Sequence, residues 1–234
     1  YLHRPPPEAD VNVMLEGRHP CQQRLAFEEL LAHYLSLRSL RALASTDNAP
    51  ALTGGDDAVN EFISGLPFTL TGAQQRVVAE ILADLAEPHP MMRLIQGDVG
   101  SGKTVVAAIA CIKAFACGVQ TAIMAPTEML AEQHWRSCSS WFEPLGITPA
   151  WLTGSQRAAA RRESLQAIAN GTAQVAVGTH ALFQEGVEFR QLALVIIDEQ
   201  HRFGVHQRMA LRDKGISSSG HPHQLVMTAT PIPR

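Results

Sequence analysis

The chain has 234 residues, 46% hydrophobic and 18% charged, with 19 Lys and Arg against 22 Asp and Glu for a net charge of −3. That is enough apolar material for one full-sized domain with an appendage. It excludes a polycationic nucleic-acid coat, and no apolar run approaches the ~18 residues of a membrane-spanning helix. Residues 1–65 carry five Arg and nine acidic side chains, net −4, and residues 66–234 carry fourteen basic and thirteen acidic ones, net +1. Nucleic acid, if bound, would meet a local patch and not a uniformly basic face.

Residues 1–22 are Pro-rich and read as irregular, the tail of something N-terminal. The run Tyr1-Leu2-His3-Arg4-Pro5-Pro6-Pro7 has neither an initiator Met nor the apolar core of a signal peptide, so the expectation is a cytoplasmic, monomeric protein whose start lies upstream. From Gln23 to about Ala44 the spacing predicts a helix. Phe27, Leu30, Leu31, Tyr34 and Leu35 recur at i, i+3, i+4, i+7 and i+8, and such a face needs a surface to cover. Ser45–Asp57 is small, polar and Gly-rich and reads as a loop.

After Leu66-Pro67 strands and helices alternate. Strands are expected at 93–96, 121–125, 148–152, 174–178, 192–198 and 224–229. Helices are expected at 72–86, 103–116, 128–141, 155–169 and 205–214. The pattern implies an α/β domain over 66–234 with a mainly parallel sheet covered by helices on both faces, preceded by a linker segment over 1–65. Ligands of such sheets bind beyond the carboxyl ends of the strands. The cysteines Cys21, Cys111, Cys117 and Cys138 form no C-x-x-C pair and read as free thiols.

Gly97-Asp98-Val99-Gly100-Ser101-Gly102-Lys103-Thr104 fits G-x-x-x-x-G-K-[ST], with an apolar strand before it and an apolar helix after it. Its glycines let backbone N–H groups turn around phosphate oxygens, and the helix N-terminus adds partial positive charge. Lys103 would reach the β- and γ-phosphates of ATP and the Thr104 hydroxyl would coordinate Mg²⁺. About 95 residues after the lysine, Leu194-Val195-Ile196-Ile197 delivers Asp198 and Glu199. Asp198 would hold Mg²⁺ and Glu199 would polarise the attacking water.

Asp198-Glu199-Gln200-His201 resembles the D-E-x-H box of superfamily 2 helicases, and Thr228-Ala229-Thr230 resembles their S/T-A-T motif. Ala125–Ala131, Thr153-Gly154-Ser155 and Gly178-Thr179-His180 are similar to their nucleic-acid-facing motifs. Phe68–Gln74, the P-loop and Asp198–Arg208 together resemble the RecG family of branched-DNA translocases. Gln200, where the related transcription-repair coupling family has Glu, favours that branch. The likeness is dense over 66–234 and extends to the helix at 23–44, which resembles the segment joining the RecG wedge domain to its motor.

The resemblance implies a first RecA-like motor domain using ATP and Mg²⁺ on branched or double-stranded DNA. It implies partnership with a second motor domain and a wedge domain of the same parent chain. It implies that Gln74 reads the adenine with Phe68 stacked nearby, and that Gln200, His201, Thr228, Ala229 and Thr230 couple hydrolysis to DNA movement. Thr127, Glu128, Thr153, Gly154, Ser155, Gly178, Thr179 and His180 would face the DNA backbone. Arg157 and Arg161, at i, i+4 after the Thr153–Ser155 turn, would meet a run of phosphates. The segment alone, lacking the arginine finger of a second domain, is expected to bind nucleotide weakly and hydrolyse it negligibly. The alternatives are a transcription-repair coupling translocase acting on RNA polymerase and a non-cycling ATP-dependent DNA clamp.

Overall fold

The computed structural model describes residues 6, 11–44, 47–199 and 220–229. Its contacts divide the chain into two units, Tyr1–Thr46 and Asp47–Arg234. The first holds helices α1 (Val11–Leu15) and α2 (Pro20–Ala44). Two of its side chains, Arg24 and Glu28, pair at 2.8 Å one turn apart. The periodic residues Phe27, Leu30 and Tyr34 are all more than half exposed. Part of the stretch expected to be irregular is thus helical.

The second unit begins before the expected boundary. Residues 47–65, expected to belong to the linker, pack into it. Their anchors are backbone hydrogen bonds: Ala49 N–H to Pro88 O, Leu52 N–H to Leu85 O, and His221 N–H to Asn48 O. Leu52 is 1% exposed, and helix α3 (Asp56–Gly65) buries Val59 and Phe62. The small polar composition of 47–57 conceals this because its partners lie thirty or more residues away. Helix α4 (Gly72–Leu85) follows, started by a capping box in which Thr71 and Gln74 exchange hydrogen bonds.

Six strands then form one sheet: β1 (Met92–Gln96), β2 (Gln120–Met124), β3 (Ala150–Leu152), β4 (Val175–Gly178), β5 (Leu192–Asp198) and β6 (His223–Thr228). Their order is β1-β6-β5-β2-β4-β3, and every pairing is parallel. The connecting helices are α5 (Lys103–Ala116), α6 (Glu128–Phe142) and α7 (Ala158–Asn170). Alternate side chains of the central strand feed two separate cores. Leu194 and Ile196 join the one built with α3, α4 and α5, and Val195 and Ile197 join the one built with α7 and the turn at 180–183. Helix α5 is buried from Val105 to Ala114 and, Lys113 apart, that stretch is apolar all round. Cys111 and Cys138 are free thiols in the first core; burial raises both, Cys138 to about 12.

His223 pins the segment around Pro50 to the sheet. Its Nδ1 accepts the Met91 N–H at 3.0 Å and its Nε2 donates to Pro50 O at 2.9 Å, with the ring fully buried. That pattern requires the neutral ring, and burial lowers its pKa from 6.5. Above pH ~6.5 both folded and unfolded states carry the neutral ring, so the contribution is complete there. As pH falls from there through the folded value, the unfolded state takes up the proton first and stability declines. Thermal unfolding between pH 8 and 5 should therefore show a shallower acid loss in His223→Gln than in the wild type. Parallel curves would contradict this assignment.

Candidate nucleotide site and the loops beside it

A sheet with all six strands parallel sends every strand's carboxyl end to one edge, and the P-loop and the described strand-end motif residues stand there. The P-loop follows β1, Thr228 ends β6 and Asp198 ends β5. On the other half of the edge, Thr127, Gly178–His180 and Thr153–Ser155 stand at the ends of β2, β4 and β3. Strand order thus separates a nucleotide half (β1-β6-β5) from a second half (β2-β4-β3).

The loop between β1 and α5 is tightly closed. Lys103 Nζ donates to Gly97 O at 2.6 Å and to Asp98 O at 2.9 Å, so the ammonium spans the loop's mouth. Ser101 N–H bonds Asp98 O, Val99 at the tip is exposed, and Thr104 opens the first turn of α5, half-buried. Gly102 has φ 83°, a left-handed conformation that strains any other residue, and a Cβ there would displace the Gln74 amide, whose Nε2 lies 2.3 Å from its place. Gln74 Oε1 accepts the Thr71 N–H at 2.8 Å and its Nε2 donates to Ser101 O at 2.9 Å. It lines a cavity of about 290 Å³ together with Gly97, Gly102 and Lys103. In this structure Gln74 braces the P-loop, and both ends of its amide are engaged. Phe68 is not brought to that cavity. It lines a separate groove between α3 and α4.

The acidic residues are held from two sides. Asp198 is 8% exposed, and its Oδ2 lies 2.8 Å from His134 Nε2 on α6. Glu199 turns the chain in the left-handed region at φ 50°. Its N–H donates to Met227 O, Oε2 accepts the Thr228 hydroxyl at 3.1 Å, and Oε1 accepts the Ala229 N–H at 3.0 Å. Thr228 O in turn accepts the Gly97 N–H at 3.2 Å. Thr228 therefore touches the P-loop through its backbone and Glu199 through its side chain. Gln200, His201 and Thr230, and the helix expected at 205–214, lie outside the described residues.

In the second half, Thr127 caps α6 by accepting the Leu130 N–H. Glu128 is exposed, but its carboxylate is engaged within the protein. It accepts the Ser155 hydroxyl at 2.6 Å and the Ser155 N–H at 3.2 Å, and those bonds lower its pKa. These bonds tie the β3 loop to the start of α6. Arg161 is likewise turned inward, to Thr153 O at 3.3 Å and Gln184 Oε1 at 3.4 Å. Arg157 precedes α7 with extended ψ, so the two do not share a helix face. Thr153 and Thr179 are buried, whereas Gly154, Ser155, Arg157 and His180 are exposed. A Cβ on Gly178 would fall 1.9 Å from Leu152 O, which is why β4 must end in glycine to lie beside β3.

The residue that the motifs did not flag is His134. Its signal was faint: Ala131, His134, Cys138 and Phe142 form the buried stripe of α6, and histidine is the one titratable group on it besides the thiol.

The DEAD/DEAH box helicase model matches residues 71–234. The chain belongs to this helicase family. Within it, the chain is 59% identical over 233 residues to the ATP-dependent DNA helicase RecG of Escherichia coli (strain K12), covering 100% of this chain and 34% of that protein. It is 49% identical over 213 residues to the RecG of Streptococcus pneumoniae serotype 4, covering 91% and 31%. The chain thus spans about a third of the length of the curated relatives it matches. Among solved structures, RecG bound to a three-way DNA junction superposes with a TM-score of 0.79 at 43% identity, covering 91% of this chain and 28% of that one. The yeast DEAD-box splicing factor Prp28 superposes at 0.60 and 18% identity, covering 76% and 44%, a likeness of fold alone. Among the described residues, no helix of this helicase domain is long and apolar enough to cross a membrane.

Proposed function

We propose that this chain is the nucleotide-binding half of an ATP-driven double-strand DNA translocase that remodels branched DNA by fork regression and junction migration. The observation that carries the reading is the two-part edge of the sheet. The P-loop, Thr228 and Glu199 are joined by direct hydrogen bonds on one half, with Asp198 next to Glu199 at the end of β5, and a run of exposed backbone, hydroxyl and imidazole groups stands on the other. Such groups suit contact with a phosphate backbone irrespective of sequence. The relatives named RecG, one of them solved on a DNA junction, support DNA as the substrate.

The donors present fit Mg²⁺. Asp198 and Thr104 offer hard oxygens, and among the described residues no cluster of three or more His, Cys, Asp or Glu would hold a metal by protein alone. That is the pattern for an ion shared between one carboxylate, a hydroxyl and substrate phosphates. Bound there, Mg²⁺ would supply charge neutralisation at the phosphates. In this reading Lys103 and the loop N–H groups bind the phosphates, Gln74 holds the loop's shape, and Glu199 takes the proton from water. Thr228 and Ala229 grip the Glu199 carboxylate, so displacement of β6's end would alter that base.

The test is conversion of a labelled Holliday junction into duplex products by the full-length protein. Conversion with ATP and none with a non-hydrolysable analogue supports the reading, and ATP-independent conversion or none at all sinks it.

A further inference from the structure

We propose that His134 is a positioning residue for the Asp198 carboxylate, fixing the direction in which it presents its oxygens to the nucleotide's metal. The inference rests on the reading of Asp198 as the Mg²⁺-side acid. An ionised carboxylate only accepts, so the 2.8 Å contact places the proton on His134 Nε2, donated to Asp198 Oδ2. The bond engages one oxygen and leaves Oδ1 outside it. His134 and Asp198 side chains are 9% and 12% exposed. Water therefore offers little competition, and the carboxylate cannot swing without breaking the contact.

The ring is itself held. It sits on α6 between Ala131 and Cys138 on the buried stripe, and α6 is fixed at its start by the Thr127 cap. Helix α6 follows β2, whereas Asp198 ends the adjacent β5. The contact therefore crosses from the second half of the sheet edge to the nucleotide half. An apolar residue would fill the stripe equally well but would leave a buried carboxylate short of a donor. Groups that orient a metal's ligand in this way alter metal affinity by ~10–100-fold when removed. A histidine that merely filled the core would leave metal affinity unchanged.

The experiment titrates MgCl₂ against mant-ADP fluorescence in the full-length protein, its His134→Asn, His134→Ala and His134→Gln variants, and Asp198→Asn. Asn ends near the ring's Nδ1 and falls short of Oδ2, while the longer Gln amide reaches it. The half-saturating Mg²⁺ concentration should rise by about tenfold in the Asn and Ala variants and stay within about twofold of wild type in Gln. Mant-ADP affinity in EDTA should be unchanged in all three. Two breaking variants guard against one that does not fold, with thermal unfolding as the check. A folded Asn or Ala variant with an unmoved Mg²⁺ curve overturns the proposal, as does a folded Gln variant that fails to restore it. An unmoved curve in Asp198→Asn would instead overturn the reading of Asp198 beneath it.

Discussion

Replacing Glu199 by glutamine in the full-length protein should lower DNA-stimulated ATP hydrolysis by roughly 10²–10⁴-fold, the range for loss of a positioned general base. The substitution keeps the shape of the side chain, and one amide oxygen can still accept from Thr228 or Ala229. Those donors now hold the carboxylate at 3.1 and 3.0 Å. Nucleotide binding should therefore stay within about threefold of wild type, because the P-loop contacts do not involve Glu199. Single-turnover hydrolysis beside equilibrium binding of mant-ADP separates the two effects. A fall of less than tenfold, or an equal loss of binding, would remove Glu199 from the water-polarising role.

The opposite pattern is expected at Lys103. Its ammonium stands over Gly97 O and Asp98 O at the mouth of the loop, where the phosphates of a nucleotide would present negative oxygens to it. Hydrogen bonds to charged groups contribute ~1.5–3 kcal/mol each. Lys103→Ala should thus weaken nucleotide binding by about 10–100-fold and reduce hydrolysis at least as far. Isothermal titration with ADP and Mg²⁺ measures the first effect directly. Unchanged affinity would mean that the loop amides alone hold the phosphates.

Much of the α/β unit was legible from the chain because its signals are local. Apolar runs such as Leu192–Ile197 bounded by polar turns mark buried parallel strands, and all six strands fall within two residues of their expected bounds. The P-loop was readable because glycine spacing at a strand–helix junction is itself the mechanism. What escaped notice depends on distant partners. Helix α3 is short and begins with Asp56 and Asp57, and it is held by Val59 and Phe62 against a core assembled from later elements. Lys113, buried inside α5, reaches Asp56 at 2.5 Å, an ion pair that no pattern in either segment announces. Glu128, through the family resemblance, and Arg161, through its helix spacing, read as facing DNA, yet a neighbouring loop holds each in a hydrogen bond. His134 was hidden for the same reason, since its importance exists only where α6 passes the end of β5.

The most direct test of the account is ATP hydrolysis by the full-length protein with forked, linear duplex and single-stranded DNA in equal salt, with Glu199→Gln as the inactive control. The account predicts strong stimulation by forks that the control abolishes. Stimulation by none of the three DNAs would contradict it, leaving an ATP site whose partner is not DNA.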